Sequence, residues 1–351
     1  MAQEAWQQSL QDTLTSADQL KDYFVFDSRP LAAVEAKYPM RITPYYLRLI
    51  EQVGDPIWKQ CVPDLHELAD DGLSDPLAEE EFSPVPAIIH RYPDRVIFYV
   101  SGSCTSYCRF CTRKRKVGCT SMALSFRELR EGIDYISANS QIRDVIFSGG
   151  DPLVLPDAVL GDLLARVHAI PHIEIIRLGT RVPATLPERI TDRLCTLLKK
   201  FHPLYLNTHF NHPRELTQQA AEACARLADA GIVLGNQTVL LRGVNDQPEI
   251  ISELFRGLLK MRVRPYYLHQ MDLSRGTGHF RTSVNTGLKI IQSLRGPVSG
   301  LASPHYIIDL PGGKGKVPLL PQYVKRRGDV LLIQTADGDV VEYPDLVEKR
   351  N

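Results

Sequence analysis

Three cysteines, Cys104, Cys108 and Cys111, fall within eight residues of a 351-residue chain that holds only seven. Their spacing is C-x3-C-x2-C, with Tyr107 and Phe110 between them. Thiolates are soft ligands, suited to zinc, Cu(I) or iron–sulfur clusters. A structural zinc site wants four ligands, and no further Cys or His pair stands at finger spacing. Three thiolates on a [4Fe–4S] cluster leave one iron without a protein ligand, and an iron with an open position can bind a substrate. The other cysteines, Cys61, Cys119, Cys195 and Cys224, are isolated. Cys195 and Cys224 lie on helix-like apolar faces and read as core packing.

Three further stretches could do chemistry. Ser148-Gly149-Gly150-Asp151 follows an apolar strand; glycines there let the backbone approach a ligand closely, or simply make a tight turn. Asp309-Leu310-Pro311-Gly312-Gly313-Lys314-Gly315-Lys316 puts two lysines on a glycine-rich loop. One of them could form a Schiff base with pyridoxal phosphate. The run is not a G-x-x-x-x-G-K-[ST] phosphate loop, because Val317 follows Lys316, and read alone it could also be a solvated turn. His90-Arg91-Tyr92-Pro93-Asp94-Arg95 sets two arginines four apart beside an aromatic ring. That pattern suits a phosphate, or a solvated charge cluster.

The elements that must position these residues follow from periodicity. Strands are expected over 96–100, 144–147, 173–178, 204–207, 233–241 and 265–269, and helices over 126–137, 160–169, 190–200, 216–230, 248–261 and 284–294. Six β-then-α units predict a parallel sheet with crossover helices. Polar and glycine residues gather at or after the strand ends: Ser101-Gly102, Ser148-Gly149-Gly150, Gly179-Thr180-Arg181, His209, Asn236-Gln237 and Gln270-Met271-Asp272. The C-terminal ends of barrel strands carry active sites, and no G-x-G-x-x-G opens a helix. The expected fold is therefore α/β, a partial (β/α)6 TIM-type barrel. Before it, residues 1–90 read as a helical region, with helices over 6–23 and 44–53 and an acidic, proline-bearing stretch at Asp75–Pro86. The barrel spans 91–300, and 301–351 reads as the loop with the reactive lysine and a β extension.

Composition bounds the function. Forty-one basic and 41 acidic residues give zero net charge, which argues against a broad nucleic-acid footprint. No run of 18 apolar residues predicts a membrane span, and no apolar core marks a signal peptide, so a cytoplasmic protein is expected.

The cysteine spacing resembles that of the radical S-adenosylmethionine superfamily. The span from Trp6 to Tyr343 is similar to the lysine 2,3-aminomutase family. Matching stretches are Ile42-Thr43-Pro44-Tyr45-Tyr46, Ser83-Pro84-Val85-Pro86, His90 to Arg95, Asn207 to Pro213, Leu234-Gly235-Asn236-Gln237, Leu240 to Asp246 and Arg262 to Tyr267. The resemblance implies an isomerase that uses a [4Fe–4S] cluster, S-adenosylmethionine and pyridoxal 5′-phosphate. Its reaction would be the interconversion of L-α-lysine and β-lysine by a radical 1,2-amino shift.

Residue by residue, the resemblance assigns Cys104, Cys108 and Cys111 to the cluster and Lys316 to pyridoxal phosphate. Arg91, Tyr92, Arg95 and Gln237 would seat that cofactor. Ser148, Gly149, Gly150 and Asp151 would receive the methionine end of S-adenosylmethionine, with Arg177 and His209 as further cofactor contacts. Arg113 would hold the substrate carboxylate, and Asp272 and Asp309 the side-chain ammonium of lysine. Lys314 departs from the family, which usually has glycine there. The chain also lacks the cysteine-rich C-terminal extension of the best-known relative, so zinc is not expected and a homodimer is. An electron donor such as flavodoxin or ferredoxin is implied. Alternatives are an (R)-β-lysine synthase serving elongation factor P, a radical aminomutase of another amino acid and, least favoured, a non-enzymatic metal-binding protein.

Overall fold

A computed structural model describes residues 4–69, 72–119 and 123–346. Nine strands form one sheet in the order of the chain: β1 (Ile88–Tyr92), β2 (Arg95–Ser101), β3 (Asp144–Gly149), β4 (Ile175–Gly179), β5 (Leu204–Thr208), β6 (Val233–Leu240), β7 (Arg264–Gln270), β8 (His305–Leu310) and β9 (Gly315–Pro318). β2 to β8 pair in parallel, while β1 and β9 run antiparallel at the two edges. The sheet curls into an open half-barrel. A separate antiparallel sheet follows, with β10 (Val324–Arg327), β11 (Val330–Gln334) and β12 (Val340–Pro344).

The period of two along each strand separates two environments. On β3, Val145 and Phe147 are buried, while Asp144, Ile146 and Ser148 alternate with them and line a cavity inside the curl. β4 repeats the device, with Ile176 and Leu178 buried and Arg177 and Gly179 facing the cavity. On β6, Leu234, Asn236, Thr238 and Leu240 are buried, and Gln237 and Val239 reach the lumen. The buried apolar set, including the edge-to-face pair Phe98–Phe147 at 5.3 Å, joins the sheet to its crossover helices in one core.

Those helices are Phe126–Ala138, Asp157–His168, Asp192–Leu198, Gln218–Asp229, Pro248–Lys260 and Val284–Leu294. Four start at a side-chain cap, Ser125, Thr191, Thr217 or Ser283, each accepting a first-turn N–H. Such a cap contributes about 1 kcal/mol. Pro248 occupies the first turn of a fifth, where its missing N–H costs nothing.

Four expectations need correction. The opening helix expected over 6–23 is broken into Ala5–Gln11 and a 3-10 turn at Ala17–Asp22. Leu14 leaves the helix to exchange two backbone hydrogen bonds with Ile42, both 2.9 Å, and Ser16 restarts the chain with a capping box. The helix expected over 44–53 stops after Pro44–Leu47. The run His90 to Arg95, which no expected strand includes, is partly a strand itself, because Ile88–Tyr92 turns back onto β2 at Pro93-Asp94. The C-terminal β structure is split, since β8 and β9 complete the main sheet and only β10–β12 stand apart.

Candidate active site

One cavity of about 740 Å³ fills the half-barrel, and every residue to which the family resemblance gives a cluster, cofactor or substrate role lines it. The cysteine loop follows β2 and lies at the upper rim. Arg109, between two of the cysteines, is almost fully buried and ties the loop down. Its Nε donates to Glu67 Oε1 at 2.8 Å and its Nη2 to Glu67 Oε2 at 2.5 Å; Lys114 Nζ reaches the same Oε2 at 2.5 Å. Glu67 is the shared counter-charge of both buried cations, and removing it would be strongly destabilising.

The three thiols fit a cluster. Burial pushes Cys104 well above its ordinary range, with Asp151, Cys111 and Cys108 adding to it. Burial, and then Cys108, pushes Cys111 up to about 11. Thiols whose ionised forms oppose one another this way are matched to a cationic group set among them. Among the described residues, no three metal-binding side chains converge on a single ion. A cubane needs no such convergence, because each thiolate takes a different iron.

The glycine pair shapes the wall beside them. Gly149 has φ +126°, a region that disfavours side chains, and a Cβ there would lie 2.4 Å from the Ser101 carbonyl oxygen. A Cβ on Gly150 would lie 2.3 Å from the Ser103 carbonyl oxygen. The two turns therefore touch backbone to backbone, with Gly150 N–H donating to Ser101 O at 2.5 Å and Asp151 N–H to Ser103 O at 2.8 Å. The Asp151 carboxylate is spent inside the protein. It accepts from Thr180 Oγ1 and from the Leu153 and Arg181 N–H groups, and burial lifts its pKa to about 6. It clamps the β3 turn to the end of β4.

The cations Arg91, Arg95 and Lys316 come from β1, β2 and β9. Arg91 and Arg95 flank the Tyr92 ring, their guanidinium carbons 4.6 and 4.1 Å from its centroid. Two permanent charges around one ring suit a phosphate group. Arg91 Nη2 also donates to Asp309 Oδ1 at 2.9 Å, and Lys316 Nζ bonds the other Asp309 oxygen. Burial opposes ionisation of Asp309, but Lys316 and Arg91 outweigh it and hold its pKa below the usual carboxylate value. Lys316 lines the cavity, whereas Lys314 is exposed and lies outside it.

Asp272 behaves differently. Among the described residues no cation stands within ion-pair distance of it. Burial, reinforced by Asp309, raises its pKa to about 7. Arg177 pairs with Asp144 at 2.7 Å on the lumen side of the strands. His209 is kept neutral by burial and by Arg181, and bonds Asn211 at 3.0 Å.

Several lining groups had no role in the sequence reading. Glu79 grips Arg113, taking Nε at 2.9 and 3.1 Å and Nη2 at 2.7 Å. The guanidinium expected to meet a substrate carboxylate thus already faces a carboxylate, because a buried cation needs a counter-charge. Arg113 Nη1 also donates to Ser148 Oγ and the Gly149 carbonyl, both at 3.2 Å. His269 and Tyr267 line the lumen from β7. The acidic stretch at 75–86 was the only signal for Glu79.

A family model described as the radical SAM superfamily matches residues 98–254, and one described as lysine-2,3-aminomutase matches residues 291–347. The chain is 48% identical over 349 residues to the L-lysine 2,3-aminomutase of Methanococcus maripaludis, covering 96% of this chain and 80% of that protein. It is 48% identical over 348 residues to the L-lysine 2,3-aminomutase of Fusobacterium nucleatum, covering 97% and 82%. It is also 44% identical over 347 residues to the glutamate 2,3-aminomutase of Clostridioides difficile, covering 97% and 82%. Overall likeness therefore joins the chain to relatives named for two different amino acids, and the lining of the cavity must choose between them.

Proposed function

The chain belongs to the lysine 2,3-aminomutase family, and from that premise we propose that it interconverts L-lysine and β-lysine by moving the α-amino group to the neighbouring carbon. Asp272 carries the choice of substrate. It is a carboxylate in the cavity, and among the described residues no cation stands within ion-pair distance of it. A lysine side chain would supply that cation, and a glutamate side chain would add a second negative charge beside it. Asp309 alone would not discriminate, because Arg91 and Lys316 already neutralise it.

Cys104, Cys108 and Cys111 would hold the iron–sulfur cluster, with S-adenosylmethionine against the Gly149-Gly150 backbone. Arg91, Tyr92 and Arg95 would seat the phosphate of pyridoxal phosphate, Gln237 would border its ring, and Lys316 would carry it. When bound, these groups supply a hydrogen-abstracting 5′-deoxyadenosyl radical and a carbonyl carbon for the migrating nitrogen. The protein's own part is placement. Arg113, released from Glu79, orients the substrate carboxylate, and Asp272 fixes the far end. A substrate tethered at both ends leaves its α- and β-carbons in one position between the two cofactor sites, which converts binding energy into orientation. Phe110, Val239 and Met271 add apolar walls that limit water.

The same reading takes 91–300 as the barrel's β/α units, with 1–90 before them and 301–351 after them, although the main sheet itself runs from β1 at Ile88 to β9 at Pro318. It also carries a one-electron donor of the flavodoxin or ferredoxin class, a homodimer and a cytoplasmic setting. No helix among the described residues is long and apolar enough to cross a membrane. The test is anaerobic incubation of the reconstituted protein with dithionite and either L-lysine or L-glutamate. β-Lysine from the first and no β-glutamate from the second is expected; conversion of glutamate alone would refute the assignment.

A further inference from the structure

Arg181, two residues past β4, is the centre of a buried polar assembly behind the cysteine loop. Its side chain is 8% exposed and every nitrogen is engaged. Nε donates to the His209 carbonyl at 3.3 Å. Nη2 donates to Gln60 Oε1 at 2.6 Å, Glu215 Oε1 at 2.8 Å and the Tyr46 hydroxyl at 2.9 Å. Nη1 donates to Cys108 Sγ at 2.8 Å. The guanidinium also lies 5.2 Å from the Phe110 ring centroid, two residues past that cysteine. The loop is held from the same side, because the Gln60 carbonyl accepts the Arg109 N–H at 2.9 Å.

Neither cofactor contact nor substrate contact is needed to explain this arrangement, but the sulfur contact is specific. A guanidinium is always charged, and its fork is rigid. Glu215 offsets that charge only in part, because its oxygens also accept from the Tyr46 hydroxyl and from the Asn211 and His212 N–H groups. Hydrogen bonds to the ligand sulfurs and local net charge are among the levers that set the potential of an iron–sulfur cluster.

We propose that Arg181 is a positioning residue that aims the Cys108 sulfur and, by donating to it, raises the reduction potential of the cluster that Cys108 holds. The added electron of the reduced cluster is then met by a fixed positive charge and a sulfur-directed donor. This rests on the reading of Cys108 as a cluster ligand.

The test needs no turnover. Wild type, Arg181→Gln, Arg181→Lys and Glu215→Gln are reconstituted anaerobically with iron and sulfide. Iron and sulfide are counted, and the midpoint is found by redox titration followed by electron paramagnetic resonance, without S-adenosylmethionine. Arg181→Gln should load iron yet lower the reduced-to-oxidised ratio at fixed potential at least tenfold, about 59 mV for one electron. Arg181→Lys keeps the charge but loses the fork and should fall less. Glu215→Gln unmasks the guanidinium and should move the midpoint upward. Midpoints unchanged from wild type in Arg181→Gln and Glu215→Gln would overturn the proposal. Should Arg181→Gln fail to fold, the opposite signs expected for Arg181→Lys and Glu215→Gln carry the test, since a merely structural role predicts no such opposition. Wild type that takes up no iron and sulfide would instead sink the cluster reading itself.

Discussion

Asp309 and Lys316 are direct partners across the antiparallel β8–β9 pair, and the lysine amine bonds the aspartate carboxylate while Arg91 holds its other oxygen. The register of one hairpin thus sets the candidate cofactor lysine beside its counter-ion, and Arg91 reaches the same point from β1. Asp272, close enough for Asp309 to raise its pKa, has no ion-pair partner among the described residues.

That relationship separates the two lysines of the glycine-rich loop. Borohydride reduction of the protein loaded with pyridoxal phosphate should trap a covalent adduct on Lys316, read by peptide mass spectrometry. Lys316→Ala should lose the adduct, and Lys314→Ala should keep it. A label that moves to Lys314 in the first variant, or vanishes in the second, would contradict the assignment.

Asp272 should make both stability and substrate use depend on pH. Burial and Asp309 raise its pKa from 3.8 to about 7 in the folded chain. The folded state therefore holds a proton that the unfolded state has released. The associated stability is fully present below about pH 3.8 and is lost as pH rises through about 7. Chemical denaturation between pH 4 and 8 should show that decline in the wild type and lose it in Asp272→Asn. The sign reverses for lysine, which needs the ionised carboxylate: kcat/KM for lysine should climb through about pH 7. Asp272→Asn should flatten the climb and raise KM roughly tenfold, a loss of ~1.4 kcal/mol.

Gly149→Ala should damage the cofactor side of the cavity without touching Arg91, Arg95 or Lys316. The new Cβ would press on the Ser101 carbonyl at a positive φ, so both strain and overpacking oppose it. Such changes cost about 1–3 kcal/mol. A lower denaturation midpoint together with loss of S-adenosylmethionine binding is expected, while pyridoxal phosphate content should hold.

Much of this site was legible in the sequence because its chemistry is local. The cysteine spacing, the glycine pair and the lysine loop are each contiguous. The partners of those residues were not legible. Glu79 and Arg113 are joined across 34 positions, and Arg181 and Cys108 across 73, by contacts that only the curl of the sheet creates. β8 reads as generic β structure until its pairing with β7 makes it the last parallel strand. The N-terminal helix reads as continuous because its apolar spacing does not reveal that Leu14 pairs with Ile42.

Hydrogen transfer tests most directly whether the cysteine rim and the Lys316 wall serve one reaction. The loaded protein is given S-adenosylmethionine, dithionite and L-lysine deuterated at the β-carbon, and the 5′-deoxyadenosine and β-lysine are analysed by mass spectrometry. Deuterium in both molecules is expected, since the residues proposed to hold the radical source and the substrate line one cavity. Unlabelled 5′-deoxyadenosine from protein carrying its full iron, sulfide and pyridoxal phosphate would contradict it.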